Sequence, residues 1–275
     1  MKVFLAEDFG FCFGVKAAIE RIEKLLESGT TVVTDGDIVH NKRVMKELVK
    51  KGLIVSEDLQ KADKAVFAVR AHGISPDKFE EISKKFGENV VDLTCPIVKA
   101  LFEKAEKCRR EGYKVVVFGK DGHAEMLALK GHVQDAVITV EAKRTGFERI
   151  CVLSQTTSSW REFSEFISDM LCLNFTAKEI KILNTICPVT YGREKEVEKL
   201  SESCDLVVVV GGKHSANTGK LFRIAMRKTQ AVWIESPSEL DGIELGEKGC
   251  VAVVSGTSTP EEDVREVFEK LVRRG

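Results

Sequence analysis

The feature of this sequence that most restricts its fold is a set of three cysteines at near-equal intervals. Cys12, Cys95 and Cys187 are separated by 83 and 92 residues (95 − 12 and 187 − 95). Each cysteine is followed by an amphipathic helical pattern and then by an apolar, strand-like run. Similar segments at a regular period indicate a repeated architecture. If three such repeats pack around a common axis, they would bring three thiolates to one point.

The order of the elements predicts an α/β fold. Strand-like runs alternate with helical periodicity, and the run 206–210 is continuously aliphatic, which is typical of a strand buried on both faces. Such alternation favours mainly parallel sheets with right-handed crossovers. We therefore predict three α/β repeats, residues 1–94, 95–186 and 187–275, around a pseudo-threefold axis that encloses a central cavity. The first repeat is expected to begin with its own strand at Lys2.

Charge and hydropathy exclude several classes of partner. The formal net charge of the 275 residues is −1, so bulk electrostatics predict no affinity for nucleic acid or for an anionic membrane. No apolar run approaches the roughly 20 residues that a membrane-spanning helix needs. The first residues have the pattern of a strand and not of a secretory signal. We expect a cytoplasmic protein with no membrane partner.

The remaining five of the eight cysteines lie within apolar patterns. A disulfide framework is unusual in a cytosolic chain of this size. We therefore expect these five to be small buried hydrophobic residues. They are Cys108, Cys151, Cys172, Cys204 and Cys250.

Polar side chains follow several of the predicted strands, at the point where each strand ends. In parallel α/β sheets this edge binds ligands. Three histidines keep the repeat register, because His40 and His123 follow their cysteines by 28 residues and His214 by 27. Helix starts at Ser75, Ser159 and Thr259 add free N–H groups, which favour an anion such as phosphate. The candidate donors are His40, His72, His123, Thr156, Ser215, Asn217 and Ser258.

The three cysteines leave the identity of a metal open. A structural zinc site has four ligands, and a histidine would have to be the fourth. A [4Fe–4S] cluster on three cysteines leaves one iron without a protein ligand, which can act as a Lewis acid on a substrate oxygen. Separate single cysteines and the absence of any C-x₂-C pair favour the cluster. The remaining alternative is three buried thiols without a metal.

Glu125 is the candidate proton donor. It lies two residues after His123, so both side chains would point to the same side if the segment is extended. A carboxyl group inside a closed cavity can stay protonated and act as a general acid. The alternative is an exposed glutamate in a loop.

At this point the motifs resemble those of the LytB family of 4-hydroxy-3-methylbut-2-enyl diphosphate reductases. They follow the family's order along almost the whole chain, and together they are highly specific. The matching segments are Gly10-Phe11-Cys12-Phe13-Gly14-Val15, Arg70-Ala71-His72-Gly73, Thr94-Cys95-Pro96, Gly122-His123-Ala124-Glu125, Ser154-Gln155-Thr156-Thr157, Cys187, Ser215-Ala216-Asn217 and Gly256-Thr257-Ser258-Thr259-Pro260.

The resemblance implies one [4Fe–4S] cluster on Cys12, Cys95 and Cys187, with one open iron. It implies that Glu125 delivers a proton and that Thr156 places the substrate hydroxyl, with His123 beside them. The implied reaction removes that hydroxyl with two electrons and two protons, which gives isopentenyl and dimethylallyl diphosphate. A ferredoxin- or flavodoxin-type protein would donate the electrons. The residues implied in diphosphate binding are His40, His72, His123, Ser215, Asn217 and Ser258.

The segment 188–194 and two single positions depart from the family pattern, and two other functions remain as alternatives. Ala216 stands where a second serine is usual, and Ala124 stands where a proline is usual. One alternative is a lyase similar to quinolinate synthase, which would need arginines at strand ends, where only Arg70 qualifies. The other is a non-catalytic metal-binding scaffold or sensor, which would not need the ring of polar donors.

Overall fold

The computed structural model describes residues 1–39, 41–56, 64–243 and 248–274. The chain folds into two compact units. The unit that contains both chain ends, called the terminal unit, comprises Met1–Glu20, Asp37–Lys51 and Pro188–Gly275. The central unit comprises Arg21–Gly36 and Gly52–Cys187.

Strands and helices alternate through the described residues. The strands are β1 (Lys2–Leu5), β2 (Val32–Thr34), β3 (Ile54–Val55), β4 (Val66–Val69), β5 (Val90–Asp92), β6 (Lys114–Phe118), β7 (Val137–Thr139), β8 (Arg149–Ser154), β9 (Glu179–Ile182), β10 (Leu206–Val210), β11 (Gln230–Ile234) and β12 (Cys250–Ser255). The helices are α1 (Phe13–Glu27), α2 (Lys42–Lys50), α3 (Pro76–Phe86), α4 (Pro96–Arg110), α5 (Ala124–His132), α6 (Trp160–Leu173), α7 (Pro188–Ser203), α8 (Ala216–Met226) and α9 (Glu261–Arg274).

The terminal unit is built on one parallel sheet in the order β1-β12-β10-β11. Strand β10 is buried on both faces, as its aliphatic sequence predicts. Val207 and Val209 belong to one hydrophobic core with Leu221 of α8, and Val208 and Val210 belong to another. The sheet is therefore covered on both sides, as parallel sheets usually are.

The central unit contains two further parallel sheets, in the orders β3-β2-β4-β5 and β7-β6-β8-β9. The residues of β8 alternate between two cores. Cys151 and Leu153 pack in the core that contains residues of α4 and α5, while Ile150 and Val152 pack with α6. This alternation is the period-two pattern of a strand buried on both faces.

Three parallel four-stranded sheets within the described ranges confirm the predicted α/β class. The expected strand at Lys2 is present as β1, and it pairs with β12 near the other end of the chain. The pairing places Val3 and Leu5 against the core that contains Val251 and Val253. The repeat boundaries 1–94, 95–186 and 187–275, and their arrangement around an axis, remain predictions.

The predicted helix starts differ in how they are capped. Ser75 caps α3 as expected, since its side chain accepts a hydrogen bond from the N–H of Lys78 at 3.3 Å. Ser159 precedes α6, but its side chain makes no capping hydrogen bond within the described residues. Thr259 donates its hydroxyl to the carbonyl of Val210 instead of capping α9.

The expectation for the five other cysteines is wrong in two respects. Cys108 pairs with Cys151 and Cys204 pairs with Cys250 as disulfides, and Cys172 is exposed. Cys108 lies in the last turn of α4 and shares a core with Cys151, so helix packing brings the two sulfurs together. In the described part of the chain, no helix is both long enough and apolar enough to cross a membrane.

Candidate functional site

Glu125 and Thr156, two of the predicted site residues, are in direct contact in the central unit. Strands β6 and β8 are neighbours, with Phe118 opposite Ser154, so the loops that follow them lie side by side. Glu125 Oε2 accepts a hydrogen bond from Thr156 Oγ1 at 2.7 Å, and Glu125 Oε1 accepts one from the Thr156 N–H at 2.8 Å. The parallel sheet thus brings together two residues that are 31 positions apart in sequence.

The environment of Glu125 favours its protonated form. The side chain is only 1% exposed. Burial raises the pKa of Glu125 to about 7, and the two hydrogen bonds from Thr156 lower it only in part. A carboxyl group that is partly protonated near neutral pH can donate a proton during a reaction.

His123 and Glu125 are arranged differently from the sequence prediction. The segment is not extended, because Glu125 lies in the first turn of α5 and His123 is its N-cap. His123 Nδ1 accepts a hydrogen bond from the Glu125 N–H at 3.2 Å. The ring of His72 lies edge-on to that of His123, with 5.8 Å between the centroids. The two imidazoles therefore belong to one cluster in the central unit.

The position of His72 depends on the glycine after it. Gly73 has a φ of +74°, a conformation that residues with a side chain rarely adopt. An added Cβ would also lie 2.7 Å from Phe102 Cε2. The turn that presents His72 thus requires glycine at this position.

The backbones of two of the three predicted cysteine ligands are hydrogen-bonded to segments that carry predicted substrate-binding residues. The Cys95 N–H donates to the carbonyl of Ala71, the residue before His72, at 3.0 Å. The Cys187 N–H donates to the carbonyl of Thr156 at 2.8 Å. Each cysteine directly precedes a helix that begins with proline, Pro96 for α4 and Pro188 for α7. The residues predicted to hold a metal are therefore adjacent in structure to those predicted to handle the substrate.

Cys12 lies in the terminal unit, in a loop between β1 and α1. Its N–H donates to the carbonyl of Thr257 at 3.0 Å. Thr257 follows β12, and Ser258 is the next residue. The carbonyl of Ser258 accepts a hydrogen bond from Asn41 Nδ2 at 2.8 Å. The Cys12 backbone and the segment that carries Ser258 are thus directly bonded.

Ser215 and Asn217 lie at the start of α8 in the terminal unit. Ser215 is the N-cap, and its side chain accepts from the Thr218 N–H at 3.3 Å. Asn217 Nδ2 approaches Thr257 Oγ1 at 3.5 Å. Asn217 Oδ1 is buried and has no hydrogen-bond partner among the described residues. A buried polar atom without a partner is costly, so this end of α8 favours a polar ligand.

His40 lies outside the described residues. In the part of the chain that the structure describes, no group of three or more His, Cys, Asp or Glu side chains is close enough to hold a metal ion. The donor chemistry does fit an iron–sulfur cluster, because Cys12, Cys95 and Cys187 are half-buried thiols outside the two disulfides.

Sequence reasoning missed the buried charged residues of α7. Arg193 and Glu194 are both fully buried, and Glu194 pairs with the buried Lys220 of α8 at 2.5 Å. Arg193 contacts the loop that carries Cys12. The available signal was that Arg193 precedes the buried Val197 by one helical turn, which places a charge on the inner face of the helix.

Comparison with known proteins identifies relatives over the whole chain. The profile of the LytB protein family matches residues 3–272. A 4-hydroxy-3-methylbut-2-enyl diphosphate reductase of Thermotoga maritima is 52% identical over 271 residues, which cover 98% of this chain and 96% of that protein. The reductase of the same name from Pseudothermotoga lettingae is 43% identical over 274 residues and 98% of each chain.

Solved structures of this kind of enzyme share the fold. One is a structure of (E)-4-hydroxy-3-methyl-but-2-enyl diphosphate reductase, described as the terminal enzyme of the non-mevalonate pathway. It has a TM-score of 0.73 and 31% identity, with 99% of this chain and all of that chain covered (100%). The reductase from Plasmodium falciparum has a TM-score of 0.89 and 29% identity, with 98% of this chain and 88% of that one covered. The resemblance seen in the motifs is thereby confirmed.

Proposed function

The chain belongs to the LytB family, and from this premise we propose that it reduces 4-hydroxy-3-methylbut-2-enyl diphosphate to isopentenyl and dimethylallyl diphosphate. The reaction breaks the bond between C4 and its hydroxyl oxygen, consumes two electrons and two protons, and releases water. One structural observation supports this chemistry best. It is the buried Glu125 carboxyl bonded through both oxygens to Thr156.

We assign proton delivery to Glu125. The oxygen that leaves must take up a proton to depart as water, and a protonated carboxyl supplies it. The Thr156 hydroxyl lies 2.7 Å from Glu125 Oε2. When Glu125 is protonated, the hydroxyl can accept a hydrogen bond from the carboxyl and donate its own proton to the leaving oxygen of the substrate. His123 is the N-cap of α5 and thereby fixes the position of Glu125 in the first turn of that helix.

We assign diphosphate binding to the polar donors that the sequence predicted. His72 and His123 present imidazoles in the central unit. Ser215 and Asn217 lie at the N-terminus of α8, where free N–H groups and the helix dipole favour phosphate oxygens. Ser258 and His40 complete the proposed set. The side-chain hydroxyl missing at Ala216 is offset by the backbone N–H groups of the same helix end.

Cys12, Cys95 and Cys187 are proposed to hold one [4Fe–4S] cluster. When bound, the cluster supplies the electrons for the reduction and an iron with an open coordination position. The chain's contribution is to keep three thiols out of disulfides and half-buried. A ferredoxin- or flavodoxin-type protein is the proposed source of the electrons.

The test is an anaerobic assay combined with a count of iron and labile sulfide. Purified protein is supplied with the hydroxylated allylic diphosphate and with viologen reduced by dithionite, and the two products are quantified. We expect a brown protein with four irons and four sulfides per chain, about the content of one cubane cluster. A fully loaded protein that forms neither product would refute the proposed function.

A cysteine variant tests the ligand assignment separately. Cys95→Ser should lose most of the iron and sulfide, since a serine oxygen is a poor ligand for iron in such clusters. Cys172→Ser is the matched control, because Cys172 is exposed and in neither disulfide, and it should keep the wild-type content. Full iron content in Cys95→Ser would show that Cys95 is not a ligand.

The lyase alternative is disfavoured because Arg70, the one arginine that the sequence analysis found at a strand end, is already paired with a protein carboxylate. Arg70 Nε forms an ion pair with Asp35 Oδ1 at 3.1 Å within the central unit. A guanidinium that already binds a protein carboxylate is less available for a dicarboxylate substrate. The scaffold alternative does not require a buried carboxyl with a raised pKa, which Glu125 provides.

A further inference from the structure

The loop that carries Cys12, residues 6–12, is attached to the end of β12 in the terminal unit. We call it the Cys12 loop. The Ala6 N–H donates to the carbonyl of Val253 at 2.9 Å, and the Gly10 N–H donates to Ser255 Oγ at 2.9 Å. The Cys12 N–H donates to the carbonyl of Thr257. The loop contains no regular secondary structure, so these bonds and its side-chain contacts determine its conformation.

Gly10 allows the loop to turn close to α9. Its φ is +77°, and an added Cβ would lie 3.1 Å from Glu261 Cβ. A loop of this shape has few intrinsic restraints, because glycine is the residue with the most backbone freedom. Contacts from another element are therefore needed to hold Cys12 in one place.

Arg193 of α7 provides such a contact. Its side chain is only 2% exposed, and Nη2 donates to Asp8 Oδ1 at 2.9 Å. Nη1 donates to the carbonyl of Ser255 at 3.2 Å. One guanidinium thus joins the Cys12 loop to the end of β12. The fixed geometry of the guanidinium group sets the distance between the two segments.

Glu196 reinforces the contact from the same side of α7. It lies three residues after Arg193, so the two side chains lie on neighbouring positions of the helix surface. Its carboxylate accepts from the Glu7 N–H at 2.5 Å and from the Asp8 N–H at 3.5 Å. The loop is therefore held through its backbone by one residue and through the Asp8 side chain by the other.

Because Arg193 is buried, its charge does not contribute to the solvation of the protein surface. Burying a guanidinium is costly unless it is paired and well bonded. Asp8, its acidic partner, is 51% exposed, so the pair lies at the boundary between the core and the solvent. A hydrophobic residue at position 193 would avoid this cost but could not bond to the loop.

We propose that Arg193 is a positioning residue that, with Glu196, holds the Cys12 loop so that Cys12 can retain the iron–sulfur cluster. The inference rests on the proposed function, since it concerns a ligand of that cofactor. Arg193 acts through Asp8 and Ser255 and does not itself touch the cofactor. Partners that orient metal ligands in this way typically contribute tenfold to a hundredfold in metal affinity, an order-of-magnitude range.

The test compares how fast an iron chelator removes the cluster from anaerobic wild-type protein, Arg193→Met and Arg193→Lys. Each protein is measured at the same interval below its own melting temperature, so that a general loss of stability cancels. We expect the cluster to be lost about tenfold faster or more in Arg193→Met. Arg193→Lys, which keeps a charge and can donate to Asp8, should recover part of the difference. Lys199→Ala, at an exposed position of the same helix, is the control and should match the wild type.

The outcomes separate this inference from the proposed function. An iron-free wild-type protein would overturn both. A loaded wild type with an unchanged chelation rate in Arg193→Met would overturn the inference alone. If Arg193→Met does not fold, Asp8→Asn removes the same ion pair at a half-exposed position. A wild-type chelation rate in Asp8→Asn, with an unchanged electron paramagnetic resonance spectrum of the reduced cluster, would equally overturn the inference.

Discussion

Two buried glutamates in this chain have opposite surroundings. Glu125 of the central unit is bonded to the neutral hydroxyl and N–H of Thr156. Glu194 of the terminal unit lies 2.5 Å from the ammonium group of Lys220. Both carboxyls are almost fully excluded from solvent. Burial is therefore common to the two, and the charge of the partner is the difference.

The difference explains why only one of them is a candidate acid. Burial disfavours the charged form of a carboxyl group, whereas a nearby cation favours it. Without a cation, Glu125 has a raised pKa of about 7. Glu194 forms an ion pair that joins α7 to α8, the helix that begins after Ser215. We interpret Glu125 as a residue that takes part in the reaction and Glu194 as a residue that stabilises the fold.

The largest expected effect tests the chemical role. Glu125→Gln keeps the shape of the side chain and removes its proton. We expect kcat to fall by about 10²- to 10⁴-fold, the usual contribution of a general acid. Single-turnover assays with reduced protein measure this loss, and iron content and substrate binding should remain as in the wild type.

The control for this variant is an exposed glutamate of the same unit. Glu165→Gln on α6 should leave kcat unchanged. Near-normal turnover in Glu125→Gln would contradict the assignment of Glu125 as the acid. Neither buried glutamate would then have a role in the reaction.

The next effect tests the structural role. Glu194→Gln leaves the ammonium of Lys220 buried without its carboxylate. We expect the free energy of unfolding to fall by about 3–5 kcal/mol, as is typical when one partner of a buried ion pair is removed. Urea denaturation measures this change, while kcat of the folded fraction should change little.

A double variant sharpens the structural prediction. Replacing the pair with apolar residues of similar size, Glu194→Leu with Lys220→Met, removes both buried charges together. Such replacements are often neutral or stabilising. The double variant should therefore be more stable than Glu194→Gln. A large loss of turnover at unchanged stability in Glu194→Gln would contradict this interpretation. It would show that Glu194 takes part in the reaction and is not a structural residue.

The sequence predicted correctly that polar residues follow several strands. This prediction depends only on local sequence patterns. Parallel strands place their carboxyl ends at one edge of a sheet. The loops after β6 and β8 lie at one such edge, where Glu125 contacts Thr156, although the sequence analysis assumed an extended segment where α5 begins. The helix start at Ser75 followed from the serine and proline pattern in the same way.

Other features depend on contacts that no local pattern encodes. The apolar alternation of β1 predicts a strand but not its partner β12, which is almost the whole chain away. The disulfide between Cys108 and Cys151 depends on how a helix end packs on a strand. The spacing of Arg193 from Val197 indicates the inner face of α7, but only the packing shows that Arg193 is bonded to Asp8.

The smallest expected effect concerns the hydrogen bond between Glu125 and Thr156. The carboxyl donates a proton only when protonated, so kcat should fall as the pH rises through the Glu125 pKa of about 7. The Thr156 hydroxyl stabilises the ionised carboxylate and lowers this pKa. Thr156→Val removes that bond and keeps the backbone N–H bond. The pH midpoint of kcat should therefore move upward, even if the rate itself is lower.

Thr156→Ser is the matched control, since it retains a hydroxyl and should keep the wild-type midpoint. The infrared absorption of the protonated carboxyl gives the same titration without turnover, and its loss in Glu125→Gln assigns the band. A midpoint that moves downward in Thr156→Val would mean that the hydroxyl stabilises the protonated form. In that case Thr156 Oγ1 would accept a hydrogen bond from protonated Glu125 in the resting protein, and the direction of the proposed proton relay would already be set before substrate binds.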